Sequence, residues 1–185
     1  MINANKFGKQ ILDRMLYTSD ISSNTIAFPK TPYLGLFTTM PTITNQEGNY
    51  SYTKGVEVQE STPSENKTYH RVALFKEGVS EKRILGVSVI VGDTSISAEE
   101  KAKDTAAGFS IGSARVANQD LIFFPEAEKE AYGNIVGFGI FESLTATDPY
   151  LWGTLSKDSG DNGIVTVNKN EIPIFRVGDF RIALS

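Results

Sequence analysis

Residues 133–143 read GNIVGFGIFES, and the pair of glycines inside this apolar run decides how the chain is to be read. An extended chain points alternate residues to opposite faces. Ile135, Gly137, Gly139 and Phe141 therefore share one face, and Val136, Phe138 and Ile140 share the other. Glycine inside a strand costs backbone entropy and offers no side chain to pack. Two on one face predict that something bulky crosses there, or that another backbone comes very close. Trp152 follows on the next apolar run, which can pair back through the polar connection at 143–149. A ring laid over glycines on a neighbouring strand covers the bare backbone. The stretch thus predicts a packing slot that holds a sheet, with Trp152 as the crossing ring.

Working outward, Tyr33–Thr39 (YLGLFTT) is apolar on both faces and bounded by Pro32 and Pro41, the pattern of a buried strand. Further strands are predicted at Tyr69–Phe75, Leu85–Val91, Leu121–Phe124, Ile135–Glu142, Tyr150–Leu155, Ile164–Val167, Ile172–Arg176 and Phe180–Leu184. Asp161-Asn162-Gly163 and Gly178-Asp179 stand between runs as turn signals. Residues 42–66 are rich in Thr, Asn, Ser, Glu and Gly and read as an exposed loop, with a short strand at Val56–Gln59. Two helices are predicted. One covers 3–17, where Phe7, Ile11, Leu12, Met15 and Leu16 form one stripe behind a cap at Asn3 or Asn5. The other covers Ala98–Ala107, where Ser97 and Glu100 match a capping box. Many short strands after one helix predict a single mainly β domain over 1–185, a β-sandwich or partly open barrel with an N-terminal amphipathic helix.

Composition narrows the function. At 185 residues the chain fits one domain, and a chain of this size buries roughly 70% of its unfolded surface. The net charge is −4 without a long basic run, so there is no electrostatic footprint for nucleic acid. Zero cysteines excludes disulfides and thiolate chemistry. The start, MINANKFGKQILDRML, lacks the apolar core of a signal peptide, and the apolar runs are too short to span a bilayer. Synthesis in a cytoplasm, with release by lysis, is the expectation.

Several motifs imitate chemistry. Gly108-Phe109-Ser110-Ile111-Gly112 matches the nucleophile-elbow pattern. That elbow needs a strand before the serine and a helix after it, whereas here a helix precedes Ser110, and the single histidine, His70, lies upstream. Asp158, Asn162 and Gly163 resemble part of a calcium loop, but Gly160 and Lys169 stand where ligands are needed. His70 has no second histidine or cysteine to complete a zinc site. Asn49-Tyr50-Ser51 and Asn66-Lys67-Thr68 are glycosylation sequons that matter only on a secretory route. Glu99, Glu100, Glu126, Glu128 and Glu130 read as solvated faces. No catalytic, cofactor-binding or metal-ligating set is predicted. The expectation is a non-enzymatic protein without cofactors.

The order of the helix NKFGKQILDRML, the strand YLGLFTTMPT, the step Tyr69-His70-Arg71, then IFFPEA, YGNIVGFGIFES, LWGTLS and VGDFRIALS resembles a group of small virion structural proteins of tailed bacteriophages. These are labelled tail-fibre or capsid-decoration proteins. The likeness covers the N-terminal third and residues 119–185. Lys67-Thr68 stand where the family often has a glycine pair, and residues 77–117 are longer than its usual connection, an elaboration of this chain. The resemblance implies a capsid decoration (cement) protein whose partners are other virion proteins, foremost the major capsid protein. A homo-oligomer is compatible with it, and neither nucleic acid nor membrane is implied. A tail or baseplate component remains open, as does a carbohydrate-binding adhesin displaying Tyr50 and Tyr52.

Overall fold

The computed structural model describes residues 32–46, 49–58, 68–76, 82–86, 88–155 and 163–184. The predicted helix at 3–17, the sequon at Asn66 and most of the 158–163 turn lie outside these residues. In chain order the first strands are β1 (Tyr33–Thr39), β2 (Thr42–Gln46), β3 (Asn49–Thr53), β4 (Val56–Glu57), β5 (Val72–Ala73), β6 (Phe75–Lys76), β7 (Lys82–Arg83) and β8 (Val89–Ile90). Helix α1 (Ala98–Ala106) follows, then β9 (Ala114–Ala117), β10 (Ile122–Phe123), β11 (Gly133–Ile135) and β12 (Gly137–Phe141). The chain closes with β13 (Leu151–Thr154), β14 (Val165–Val167), β15 (Ile174–Phe175) and β16 (Arg181–Leu184).

The structure is mainly β, as the strand spacing predicts. Among the described residues the strands form separate antiparallel sheets, and none closes into a barrel. The largest is five-stranded, in the order β13–β12–β1–β4 with β5 also on β1. The buried, two-sided apolar character of YLGLFTT fits its place at the centre, where Leu34, Leu36 and Phe37 are buried. A three-stranded sheet, β16–β9–β8, lies apart from it in hydrogen bonding. Both sheets feed one apolar cluster: Leu34, Leu36 and Ile140 come from the first, and Ala114, Val116 and Ile182 from the second. Ile84 and Leu85 join the same cluster, so residues from 77–117 reach the common core.

Three expectations change. The loop predicted at 42–66 folds at its start into the hairpin β2–β3, in which Ile43 faces Tyr52 across the ladder. Its composition is turn-like, but Thr, Ile and Tyr at alternate positions suit a pleated ribbon with both faces wet. The single strand predicted at Ile135–Glu142 is divided at Val136, because β11 pairs with β14 while β12 pairs with β1 and β13. Val136 spans the change by donating its N–H to Phe37 O, at 2.8 Å. Leu85–Val91 is likewise broken, with a bridge from Leu85 to Asn118 and β8 pairing further along β9.

The glycine face has a different occupant from the one predicted. Gly139 is the register partner of Trp152, as the paired runs require, and of Gly35 on its other side. A Cβ at Gly139 would stand 2.6 Å from the Phe37 ring, 2.9 Å from Phe141 and 3.0 Å from Pro149. At Gly35 it would meet Glu57 Oε1 at 2.5 Å and Phe141 at 2.8 Å. At Gly137 it would overlap the Met40 sulfur. Phenylalanine rings and a carboxylate fill the clearing, and the Trp152 ring instead packs beside Tyr52 of the hairpin, 5.9 Å between centroids.

Gly139→Val should therefore lower stability by about 1–3 kcal/mol through overpacking. Thermal melts of Gly139→Val, Phe37→Leu and the double variant test it: the effects should be non-additive, and simple addition would show that the two positions do not share the space.

Candidate interaction surface

Among the described residues two clusters of charge lie in the interior, each built from residues far apart in sequence. In the first, the Arg71 guanidinium grips Glu57 through Nη2–Oε2 at 2.6 Å and Nε–Oε1 at 3.0 Å, with both side chains 2% exposed. Arg71 Nη1 donates to the carbonyls of Ser143 and Leu144, which start the connection after β12. The guanidinium lies 3.4 Å from the centroid of the Phe141 ring, in cation–π contact. Tyr69 completes the set. Its hydroxyl accepts from Leu36 N–H at 2.7 Å and donates to Glu57 Oε1 at 3.1 Å. Burial, then the neighbouring Glu57 charge, raises the Tyr69 pKa well above its ordinary value, so the hydroxyl keeps the proton it donates.

The register explains Tyr69. β4 pairs with β1 at Phe37 and Thr39, whereas β5 pairs at Tyr33 and Leu34. Between them the N–H of Leu36 would be an orphan on a buried edge, and the tyrosine hydroxyl takes the place of a strand there. Of the step Tyr69-His70-Arg71, the outer two residues point in and His70 is exposed.

The second cluster ties α1 to the three-stranded sheet. Arg115 bonds Glu100 Oε2 at 2.6 Å and Asp104 Oδ1 at 2.9 Å. Arg181 bonds Glu100 Oε1 at 2.9 Å and Asp104 Oδ1 at 2.6 Å. Asp104 is fully buried, the only buried residue of the helix. Arg115 and Arg181 come to one face because Ala183 is the register partner of Arg115, and Arg181 lies two residues before it. Ser97 caps the helix as predicted, its side chain accepting from Glu100 N–H at 3.2 Å. Glu100, however, is not on a solvated face: it lies i,i+4 with Asp104 and turns toward the arginines. Partial burial pushes its carboxyl up, but the hydrogen bond and charge of Arg181, with the Arg115 charge, overcome this and hold it below its ordinary value.

The imitated motifs stay apart. Ser110 is exposed in the turn between α1 and β9, with Gly108 at φ +73° and Gly112 at φ +91°. A helix precedes it and a strand follows, the reverse of an elbow. Gly163 donates its N–H to Leu155 O at 2.8 Å, bringing the chain back beside the end of β13.

Exposed apolar side chains are spread over the described surface, and four of them share one ordered face. β10 and β15 pair Ile122 with Phe175 and Phe123 with Ile174. Ile122 and Phe124 turn inward, and Leu121, Phe123, Ile172 and Ile174 turn out, the last three 52%, 48% and 47% exposed. Beside this ribbon runs a groove of about 940 Å³ between α1 and strands β13 to β16, to which Ile174 also contributes. Sequence patterning found the strands of this ribbon. It did not find which face would lack a cover, because two-sided apolar strands look alike whether buried on one face or both.

Comparisons with protein-family models, with curated proteins and with solved structures found no match.

Two outcomes follow from the clusters. Arg71→Met leaves a buried Glu57 without its cation and should cost about 3–5 kcal/mol in denaturant unfolding, while Glu57→Gln with Arg71→Met should cost less than the sum of the single changes. Strict additivity would show that the pair is not coupled. Because the folded Glu100 carboxyl lies below its ordinary value of 4.5, its stabilisation is complete above that value and is lost as pH falls through the folded pKa. Melting temperature should fall on acidification from pH 5, and Glu100→Gln should flatten that part of the profile; an unchanged slope would remove Glu100 as a source.

Proposed function

We propose that this protein is a non-enzymatic structural component of a tailed-phage virion, a decoration protein that binds and braces the assembled capsid shell. The outward apolar face of the β10–β15 ribbon carries this reading. The resemblance motif IFFPEA supplies it: Phe124 enters the core and Phe123 faces out opposite Ile174. Four apolar side chains on one ordered face favour a protein partner over solvent, and the major capsid protein is the proposed one. Attachment in many copies makes a modest single interface effectively permanent through avidity. In this reading the five-stranded and three-stranded sheets are the two layers of a β-sandwich, supported by the apolar cluster they share. Assembly takes place in the host cytoplasm, and the mature location is the virion.

One observation favours a second reading. Tyr52 is 42% exposed and packs beside Trp152, an aromatic pair of the type that stacks on sugar rings. Specific retention on a glycan array, abolished by Tyr52→Ala, would favour a carbohydrate-binding adhesin.

Purified protein should add to particles stripped of it and protect their shells against heat and low ionic strength. Phe123→Lys with Ile174→Lys should abolish that addition without lowering the melting temperature. Binding to isolated tails with bare capsids left uncoated would overturn the capsid assignment in favour of a tail or baseplate component. Undiminished addition by the double variant would show that another surface docks.

A further inference from the structure

The groove of about 940 Å³ lies between the ends of two sheets. Along one bank run Trp152, Gly153 and Thr154 of β13, the last strand of the five-stranded sheet among the described residues. Along the other run Arg181, Ile182 and Ala183 of β16, the last strand of the three-stranded sheet. The buried part of the lining is apolar, with Leu36, Val167, Phe180 and Ile182 of the central cluster. The exposed part is mixed. Val165 and Ile174 stand there with Thr154, Asp179 and the Glu99–Lys103 ion pair of α1, whose charged atoms are 3.4 Å apart.

The β16 bank presents main chain. In an antiparallel ladder alternate residues turn their N–H and C=O groups to the partner strand, and the others turn theirs away. Asn118 N–H donates to Phe180 O at 3.0 Å, and Ile182 stands opposite Val116 two residues on, so Phe180 and Ile182 bond to β9. Arg181 and Ala183 therefore direct their N–H and C=O groups to the outer edge. The same alternation holds across β9, where Ala117 O, opposite Arg181, accepts from Gly86 N–H on the far side at 2.8 Å. Arg181 is half-buried although its side chain is only 5% exposed, so much of what it shows is main chain. Exposed edges are commonly blunted by proline or by a free charge. Here LWGT carries neither, and the one charge of RIAL, the Arg181 guanidinium, is held by Glu100 and Asp104. Outward N–H and C=O groups repeating every second residue are matched by another extended backbone.

We propose that this groove accepts an extended peptide segment of a partner protein, which adds to β16 as a further strand of the three-stranded sheet. One row of its side chains continues the face of Ile182 and meets the buried apolar lining. The other row continues the face of Arg181 and Ala183 and meets α1, where Ala102, Ala106 and the Glu99–Lys103 pair line the groove. The segment recognised thus alternates apolar residues with small or uncharged polar ones. Its length matches β16, four residues, or about 13 Å of strand. Such a site goes beyond the virion reading and does not rest on it.

Amide hydrogen exchange in the full chain reads the edge directly. In the protein alone the Arg181 and Ala183 amides should exchange at least about tenfold faster than that of Ile182, which bonds within the ladder. Equal protection of all three would show the edge already paired, by another segment or a second copy, and would overturn the proposal. A blocked pentapeptide of sequence TVTVT should then shift and slow the Arg181 and Ala183 amides saturably. Lysine in place of both valines should remove the effect, as should N-methylation of the peptide backbone, which deletes its donors. Ala183→Pro removes an outward N–H and no ladder bond, so it should abolish the response to peptide while the Val116 amide stays protected. The N-methylated peptide tests the same main-chain bonds on the unaltered protein, whatever the proline does to the strand. No slowing at Arg181 and Ala183 with TVTVT would overturn the proposal, and undiminished binding of the N-methylated peptide would overturn strand addition.

Discussion

The Glu57–Arg71 pair, set in a clearing made by glycines, is the contact on which the five-stranded sheet depends. Gly35 and Gly139 stand opposite each other on neighbouring strands, and the Phe141 ring and the Glu57 carboxylate occupy the space their side chains would take. Removing two charges from water is expensive and is offset only when every donor and acceptor is met. Here the carboxylate takes the arginine fork and the tyrosine hydroxyl, and the remaining guanidinium donor is spent on the Ser143 and Leu144 carbonyls. Gly35 thus clears the carboxylate, while Gly139 of GFGIF clears the Phe37 and Phe141 rings and Gly137 the Met40 sulfur.

What the pair contributes is register more than net stability. β4 and β5 are each two residues long and share one edge of β1 with a gap between them. Strands so short are weakly specified by hydrophobic alternation, and a slip of one residue would turn every side chain over. A bidentate arginine contact tolerates no such slip. The same logic recurs at α1, whose sequence AEEKAKDTA offers few apolar side chains to dock with. Two carboxylates one turn apart and two arginines on one sheet face position that helix instead. In both places polar chemistry is used where the elements are too short or too polar for packing to choose the arrangement.

That division explains what was legible in the sequence. YLGLFTT between two prolines, and Ser97 ahead of a helix, carry their signals locally, and both emerged with the predicted bounds or within one residue. β9 was missed because ARVA, buried at all four positions, places an arginine where a core strand is expected to be apolar. Only the acids of α1, reached through the fold, make Arg115 acceptable there. Glu57 had no local mark, since its partner, Arg71, lies 14 residues further along the chain. Glu100 looked solvated for the same reason. Trp152 was placed on the right strand beside Gly139, but which ring fills a bare patch depends on the third strand, β1, and on Phe37 within it.

The interior use of charge also bears on how the surface can be used. With Arg71, Arg115 and Arg181 all committed to internal carboxylates, these guanidinium groups serve the scaffold, and in the proposed function the ribbon is the docking face. β10 and β15 are too short to hold an apolar face outward by themselves, because isolated two-stranded ribbons are marginal in water. Their inner face is anchored instead: Ile122 and Phe124 are buried, and Phe175 packs at 5.5 Å against Phe180, which in turn meets Phe138 of β12 at 4.9 Å. Asn118 adds polar ties, donating to Arg176 O at 2.7 Å and accepting from Phe180 N–H at 2.9 Å, so both sides of the turn after β15 are held to the end of β9. A face displayed on such a mount loses little conformational freedom when it meets a partner, and preorganisation of that kind lowers the ordering cost of binding. The mount of the exposed Phe123 is thus this ring packing and these polar ties, which lead through Asn118 to the end of β9, the strand that Arg115 joins to α1.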